Sequence, residues 1–247
     1  MDQEEWSIVL LGKTGVGKSA TGNTILENDV FRSKRSLDSV TKHTQREEAE
    51  IEGKLIRVVD TPGLFDTTLP QNQLARELCR SVYESKPGVH AFILVFKFDY
   101  FTEYEEEMIK RLQKVFGEQV TNHVIILFTH AEGVREEEIN RSTNEHLRRV
   151  LDQCGGRFHI FNNNAEPQNR QQVTELLQKI DSMVQQNRGC YTNEMYTDAQ
   201  YLTWEEFWKK NKSVFYITSG GLALAVIMPV AGVIMNVASV IMGLCRW

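Results

Sequence analysis

The stretch Gly12-Lys13-Thr14-Gly15-Val16-Gly17-Lys18-Ser19 decides the fold of this chain, because it matches the pattern G-x-x-x-x-G-K-[ST]. The apolar run Ser7 to Leu11 precedes it, and a helical pattern from Ser19 to Leu26 follows. A glycine-rich turn between a strand and a helix presents backbone N–H groups and the helix N-terminus to phosphate oxygens. An ordinary strand-to-helix turn is the alternative, but such a turn does not require Lys followed by Ser. The stretch therefore predicts a phosphate-binding loop, in which Lys18 bridges the β- and γ-phosphates of a nucleotide and the Ser19 hydroxyl binds Mg²⁺.

The chain up to about residue 187 alternates between strand-like and helical patterns. A hairpin is predicted around Glu52-Gly53, where Gln45–Ile51 is followed by the apolar run Leu55–Val59. Alternating strands and helices predict an α/β fold, with a mostly parallel sheet and helices on both faces. Ligands of such sheets bind at the carboxyl ends of the strands. Further strands are predicted at 91–96, 123–128 and 158–161, and helices at 73–84, 103–116, 137–154 and 170–187.

A second motif, Asp60-Thr61-Pro62-Gly63, follows the second strand of that hairpin. D-x-x-G alone is common in simple turns, but one strand pair after a phosphate loop it is typical of a GTPase. We predict that Asp60 binds Mg²⁺ through water and that the N–H of Gly63 contacts the γ-phosphate. Thr41 is the candidate switch threonine, whose hydroxyl closes on Mg²⁺ when the γ-phosphate is present. Thr44 lies close by, and a solvated strand threonine is the alternative interpretation of Thr41.

Two later turns suggest which base is bound. The predicted strand 123–128 ends in Thr129-His130-Ala131-Glu132, where a guanine-specific GTPase usually has N/T-K-x-D. A carboxylate there accepts hydrogen bonds from the guanine N1–H and 2-amino groups, whereas adenine would leave the charge unpaired, at a cost of about 1–3 kcal/mol or more. Glu132 is one methylene longer than Asp, and the His130 imidazole is expected to stack on the base; a solvated loop is the alternative. The turn Asn162-Asn163 after the last strand offers an amide to the base, and a plain Asn-rich turn is the competing interpretation.

Composition places the chain among ordinary globular proteins. It has 247 residues, 41% hydrophobic and 25% charged, which excludes a disordered, collagen-like or many-span membrane chain. The net charge of −5 argues against nucleic acid as the main partner. The acidic start lacks the pattern of a signal peptide, so the body is expected in the cytosol. Four scattered cysteines without a C-x-x-C pair suggest neither zinc nor a disulfide framework.

The assembled motifs resemble those of the immunity-associated GTPases, the GIMAP family, which belong with septins and plastid import-receptor GTPases. The resemblance rests on Gly12–Leu26, on Asp60–Asp66 and on the turn Phe161-Asn162-Asn163, and it covers about residues 6–187. It implies a cytosol-facing domain that binds GTP or GDP with Mg²⁺ and dimerises across its nucleotide face, as a homodimer or with a relative. The predicted nucleotide-binding residues are Gly12, Lys13, Thr14, Gly15, Val16, Gly17, Lys18, Ser19, Ala20, Ser33, Thr41, Gly63, His130, Glu132, Asn162 and Asn163, and the predicted metal ligands are Ser19, Thr41 and Asp60.

Two positions concern catalysis. Leu64 follows D-x-x-G, where Ras-like enzymes have the glutamine that orients the attacking water. Some members of the resembled family instead insert an arginine across the dimer from a segment reading G-R-[FY]-T-x-E. Here that stretch is Asp99-Tyr100-Phe101-Thr102-Glu103, with Tyr100 at the place of the arginine. Because an arginine finger contributes about 10³ to 10⁵ in rate, we predict slow intrinsic hydrolysis and assign no catalytic residue.

The carboxyl-terminal part has a different composition. After a predicted globular domain at 6–187 and a polar linker or juxtamembrane helix at 188–212, residues 213–245 are predicted to form a hydrophobic membrane segment. It contains 31 consecutive uncharged residues, 214–244, and a bilayer core of about 30 Å needs roughly 20 helical residues. A hairpin hinged at Pro229, with halves too short to span, is the alternative. The interfacial anchors are predicted to be Trp204, Trp208, Lys209, Lys210 and Lys212, in a stretch that also contains Phe207, and the excess of lysine before the segment places the amino-terminal domain in the cytosol.

These observations favour a membrane-tethered GTP/GDP switch or a nucleotide-dependent dimerising scaffold. A GTP hydrolase activated by dimerisation is the alternative function. A receptor for targeting sequences, as in the plastid import GTPases, is a third possibility. The organelle is not predicted from the sequence.

Overall fold

Within residues 4–33, 41–63, 71–164 and 170–219, which the computed structural model describes, six strands form one sheet. The strands are β1 (Glu5–Leu11), β2 (Gln45–Ile51), β3 (Lys54–Asp60), β4 (Ala91–Lys97), β5 (Val124–Thr129) and β6 (Phe158–Ile160). Their order in the sheet is β2-β3-β1-β4-β5-β6. The β2–β3 hairpin is antiparallel, as predicted, and all other neighbours are parallel. The register pairs Leu10 of β1 with Asp60 of β3, so both motif-bearing strands end at the same edge of the sheet.

Helices cover both faces of this sheet, which confirms the predicted α/β class. Apolar side chains of α1 and α6 pack on one face, and those of α2, α3, α4, α5, α7 and α8 pack on the other. The strands β1, β4 and β5 are almost completely buried, because parallel strands lie between two helical layers. The helices are α1 (Lys18–Ile25), α2 (Gln71–Glu84), α3 (Glu103–Phe116), α4 (Glu136–Asn140), α5 (Glu145–Gln153), α6 (Gln171–Asn187), α7 (Glu194–Tyr201) and α8 (Trp204–Ser219), with a 3-10 helix at Glu118–His123.

The predicted continuous helix over 137–154 is wrong, because the chain forms two helices there, α4 and α5. Asn144 stands between them as the N-cap of α5, and its side-chain oxygen accepts a hydrogen bond from the N–H of Leu147 at 3.0 Å. The hydroxyl of Ser142 in turn accepts from the N–H of Asn144 at 3.2 Å. Short polar side chains of this kind compete with helical hydrogen bonds and favour helix starts.

Helices α7 and α8 pack on the domain, although the sequence predicts a polar linker or juxtamembrane helix at 188–212. Tyr196 of α7 and Phe207 of α8 are both fully buried. Trp204 of α8 lies 5.6 Å from the ring of Tyr83 on α2, measured between ring centroids. Phe207, which lies between the two predicted tryptophan anchors, is therefore a core residue.

The predicted membrane segment lies mostly outside the described residues. Among those described, no helix combines the length and the apolar character needed to cross a bilayer. Residues 220–247, which include Pro229 and most of the uncharged run, lie beyond the described part of the chain.

Candidate functional site

The phosphate loop connects β1 to α1 and curls around the ammonium group of Lys18. This side chain is 6% exposed, and its Nζ donates to the carbonyls of Gly12 at 3.2 Å and Lys13 at 2.7 Å. Gly12 has φ +147°, and a Cβ there would lie 2.5 Å from the carbonyl oxygen of Val95 on β4. No side chain fits at position 12 without moving the strand, which explains why the loop begins with glycine.

The three predicted metal ligands meet beside this loop. The hydroxyl of Ser19 donates to Oδ2 of Asp60 at 2.6 Å and lies 2.9 Å from the hydroxyl of Thr41, which donates to the same oxygen at 3.3 Å. Ser19 begins α1, Asp60 ends β3, and Thr41 lies in the segment before β2. The fold thus brings together three side chains that are up to 41 residues apart in sequence.

The electrostatics of Asp60 indicate that a cation fits here. The residue is fully buried, and within the described residues its Oδ1 has no hydrogen-bond partner. Burial raises the pKa of Asp60, against the opposing hydrogen bond from Ser19 and the positive charge of Lys18. A carboxylate and two hydroxyls are hard oxygen ligands of the kind that Mg²⁺ prefers. Ser19 and Thr41 would bind the ion directly and Asp60 through water, and the ion would neutralise phosphate charge.

The D-x-x-G turn lies directly against the phosphate loop. The hydroxyl of Thr61 is buried and donates to the carbonyl of Leu10 at 2.7 Å, which fixes the turn to β1. A Cβ at Gly63 would lie 2.2 Å from Oγ1 and 2.7 Å from the backbone nitrogen of Thr14. Only glycine permits this approach, which places residue 63 against the loop that is predicted to bind phosphates. Leu64 lies outside the described residues.

Thr129 attaches the predicted base-binding turn to the phosphate loop. Its buried hydroxyl donates to the carbonyl of Val16 at 2.7 Å. Thr129 is not among the predicted site residues, although it is the first residue of the T-H-A-E motif. His130 is exposed, has φ +55° and lies 3.2 Å from Oγ1 of Thr129 through its Nδ1. Glu132 is exposed at the same edge of the sheet.

The two asparagines after β6 have different partners. The amide of Asn163 donates from Nδ2 to the hydroxyl of Thr21 at 3.2 Å, and its Oδ1 accepts from the hydroxyl of Thr24 at 3.1 Å. Asn163 therefore connects the last turn to α1. It also lies close to the phosphate loop, because a Cβ at Gly17 would be 3.3 Å from Nδ2 of Asn163. Oδ1 of Asn162 accepts from the backbone of Asn164 at 2.9 Å, which forms a local turn.

The remaining predicted residues lie around the loop. The side chain of Lys13 extends to α3, where its Nζ donates to Glu105 at 2.8 Å and lies 3.7 Å from the ring centroid of Tyr104. Ala20 lies in the first turn of α1, and Ser33 is exposed at the end of the described stretch 4–33. Gly15 is exposed at φ +80°, Val16 is buried, and Thr14 is partly buried against position 63.

These features define a P-loop nucleotide-binding protein of the GTPase class. They are the strand followed by a glycine-rich loop that closes on a lysine, and the D-x-x-G turn beside two paired hydroxyls. The chain matches the AIG1 family over residues 6–211 and belongs to that family. It is 34% identical over 204 residues to immune-associated nucleotide-binding protein 9 of Arabidopsis thaliana, covering 78% of this chain and 60% of that protein. It is 37% identical over 191 residues to human GTPase IMAP family member 8, covering 76% of this chain and 29% of that protein. The chain thus spans less than two thirds of either relative.

Solved structures of the same fold include Toc33 from Arabidopsis thaliana. The structure of Toc33 in complex with GDP and Mg²⁺ has a TM-score of 0.62 and 17% identity, and the match covers 77% of this chain and 88% of that chain. A Toc33 structure with Mg²⁺ and GMPPNP has the same TM-score and identity. At this identity the likeness establishes the fold. It supports the predicted α/β fold independently of the motifs.

Proposed function

We propose that this chain is a membrane-tethered guanine-nucleotide switch or nucleotide-dependent dimerising scaffold with slow intrinsic hydrolysis. The observation that carries the proposal is the meeting of Ser19, Thr41 and Asp60 within 3.3 Å of one another beside the phosphate loop. GTP with Mg²⁺ would hold Thr41 and the turn at Gly63 against the loop, and loss of the γ-phosphate would release both. The Toc33 structures with GDP and Mg²⁺ and with Mg²⁺ and GMPPNP support this choice of ligands.

Guanine specificity is tested by titrating the full chain with GTP, GDP and ATP in the presence of Mg²⁺. We expect GTP and GDP to bind and ATP to bind at least about 10-fold more weakly, because a carboxylate at the base leaves adenine without matching donors. Lys18→Ala should abolish binding of all three nucleotides. Glu132→Ala should reduce the preference for guanine while the phosphate contacts remain. Equal affinity for ATP and GTP in the wild type would contradict the assignment.

Two side chains, Tyr100 and Lys13, support the proposal of slow hydrolysis. Tyr100, at the place of the family arginine, carries no positive charge and is 82% exposed. The ammonium of Lys13 is paired with Glu105 at 2.8 Å and lies over Tyr104, so it is directed toward α3. Neither group supplies the charge of an arginine finger, which is worth about 10³ to 10⁵ in rate. A turnover rate typical of a fully activated GTPase would contradict this part of the proposal.

A hydrolase activated by dimerisation is the second candidate, and the exposed Tyr100 favours a contact between copies at this loop. In the chloroplast translocon components atToc33 and psToc159, which share this fold, dimerisation is important for GTPase activity. Single-turnover hydrolysis over a protein concentration series separates the candidates. A rate that rises with concentration supports the hydrolase, whereas a constant rate supports the switch.

Membrane tethering is supported by the 31 uncharged residues from 214 to 244. The test is co-flotation of the full chain with liposomes, compared with the double variant Val226→Arg and Ile234→Arg. Each arginine in the centre of such a segment costs about 2.5–3.5 kcal/mol, so the variant should remain unbound while it still binds nucleotide. A wild-type chain that stays unbound would refute the tether and leave nucleotide binding as a separate question.

A further inference from the structure

One buried carboxylate joins the phosphate loop to the loop that carries Tyr100. Glu105, in the first turn of α3, is 8% exposed. Its Oε1 accepts a hydrogen bond from Nζ of Lys13 at 2.8 Å. Its Oε2 accepts from the backbone nitrogen of Thr102 at 2.9 Å and from the Thr102 hydroxyl at 2.7 Å, which completes a capping box. The two oxygens therefore contact two different loops, the phosphate loop through Lys13 and the loop before α3 through Thr102.

The loop between β4 and α3 has a defined shape directly after Tyr100. Phe101 is 4% exposed and packs against Phe96 and Phe128, with ring centroids 5.0 and 5.8 Å apart. Thr102, next in sequence, is the N-cap that Glu105 binds. Because both following residues are fixed, Tyr100 stands at a defined point of this loop, with 82% of its surface exposed.

The contact between Glu105 and Lys13 is a charged one in a partly buried place. Burial alone would raise the pKa of Glu105, but the hydrogen bonds from Lys13 and Thr102 outweigh burial and lower the pKa. The carboxylate is therefore ionised at neutral pH. Lys13 is connected to the phosphate site as well, because its carbonyl accepts from Nζ of Lys18 at 2.7 Å. A continuous series of contacts thus leads from Lys18 through Lys13 and Glu105 to Thr102.

We propose that Glu105 is a positioning residue that couples nucleotide at the phosphate loop to the Tyr100 loop, so that a second copy of this chain recognises the nucleotide-bound form. When phosphate oxygens attract the ammonium of Lys18, the carbonyl of Lys13 loses part of that contact. The Lys13 side chain and Glu105 then transmit the change to the N-cap of α3. The inference rests on the proposed nucleotide-dependent dimer, and it adds the residue that makes the dimer face respond to nucleotide.

The first test is hydrogen exchange of residues 98–104 in the full chain in detergent micelles, with and without a saturating, non-hydrolysable GTP analogue. The wild type should gain protection in this loop when the analogue binds. Glu105→Gln should lose most of that gain, because the neutral amide no longer pairs with Lys13. Glu106→Gln is the matched control, since Glu106 is also buried on α3 but pairs with His146 at 2.7 Å and Arg149 at 3.1 Å instead. Thr102→Ala provides a second variant if Glu105→Gln folds poorly.

The second test is the dissociation constant of the dimer, measured by sedimentation with the same analogue. We expect Glu105→Gln to weaken the dimer by about tenfold, within the usual range of allosteric coupling, and Glu106→Gln to leave it unchanged. Wild-type exchange and dimerisation preserved in Glu105→Gln would overturn the inference. A wild-type chain that stays monomeric with the analogue would instead refute the proposed dimer, while the exchange experiment still decides whether Glu105 couples the two loops.

Discussion

The ionised side chain of Asp60 is expected to lower the stability of the folded chain and, at the same time, to support Mg²⁺ binding. Burial raises its pKa in the folded chain above the ordinary value of 3.8. The folded state therefore binds the proton more tightly than the unfolded state. Ionisation of the carboxyl lowers the free energy of unfolding as the pH rises from the unfolded-state pKa to the higher folded-state pKa. At pH 7, without metal, the ionised group is a net cost to folding. We expect Asp60→Asn to relieve that cost, because it removes the charge at nearly equal volume.

The size of this effect follows from the hydrogen bonds of the side chain. An unsatisfied buried polar group costs about 1–3 kcal/mol, and a charged one costs more. Asp60→Asn replaces an unpaired charged oxygen by an unpaired neutral group, so we expect a net gain of about 1 kcal/mol. For a domain of this size that corresponds to about 2–4 °C in Tm. A Mg²⁺–GTP complex present at 100 times the Kd of that complex raises the free energy of unfolding of the wild type by about 2.7 kcal/mol. The wild type should therefore gain about 5–11 °C, and Asp60→Asn should gain less than about 2 °C from Mg²⁺.

The assay is thermal unfolding of the full chain with GTP, in Mg²⁺ or in EDTA. Asp152→Asn, at an exposed position of α5, is the matched control and should behave as the wild type in both conditions. The reasoning is refuted if Asp60→Asn lowers Tm in EDTA by more than about 4 °C and retains the full Mg²⁺-dependent gain. In that case the carboxylate would be a structural hydrogen-bond acceptor and the metal would bind elsewhere.

Three further predictions concern two residues of the site and two histidines elsewhere in the domain. Gly63→Ala places a Cβ 2.7 Å from the backbone nitrogen of Thr14, an overpacking cost of about 1–3 kcal/mol, so titration should detect a larger loss of affinity for a GTP analogue than for GDP. Thr129→Val removes the hydrogen bond to the phosphate loop and should weaken GTP and GDP alike, by about threefold to tenfold; a loss confined to one nucleotide would contradict this role. Burial lowers the pKa of His159 and of His90 to about 4, against 6.5 in the unfolded chain. The unfolded chain therefore binds protons first, and stability should be lost as the pH falls from 6.5 towards 4. The expected loss is up to about 2 kcal/mol per histidine at pH 5. Urea unfolding at pH 7 and pH 5 measures that loss, and an unchanged free energy of unfolding would contradict the assignment.

The sequence predicts the nucleotide site well where its signals are local. The phosphate loop and the D-x-x-G turn each follow an apolar strand directly, so the order of strands along the chain is enough to place both at one edge of the sheet. The hydroxyl of Thr41 is a weaker case, because only the fold brings it within 3.3 Å of Asp60. A solvated strand threonine fits the same local pattern, since Thr44 stands three residues away.

The apolar periodicity of a sequence predicts its helices and strands, but it does not predict which residues of distant segments are in contact. The pair Lys13 and Glu105 joins residues 92 positions apart, and nothing in either local pattern indicates the partner of the other. The break between α4 and α5 is an intermediate case, because Asn144 is a preferred N-cap residue in a stretch whose apolar spacing nevertheless suits one helix. There the sequence carries both signals, and the capping residue outweighs the periodicity in the folded chain.

The aromatic residues of α8 show why composition alone does not identify what covers a segment near an apolar tail. Aromatic rings beside lysines suit a membrane interface, but the same rings suit the surface of a helical layer, and only the tertiary partner distinguishes the two. Here the ring of Trp204 lies 4.8 Å from the guanidinium carbon of Arg80 on α2, and Phe207 is fully buried. A membrane would have to replace these contacts before it could bind the two rings. The proposed tether therefore depends on the uncharged residues beyond 219, and α8 belongs to the nucleotide-binding domain.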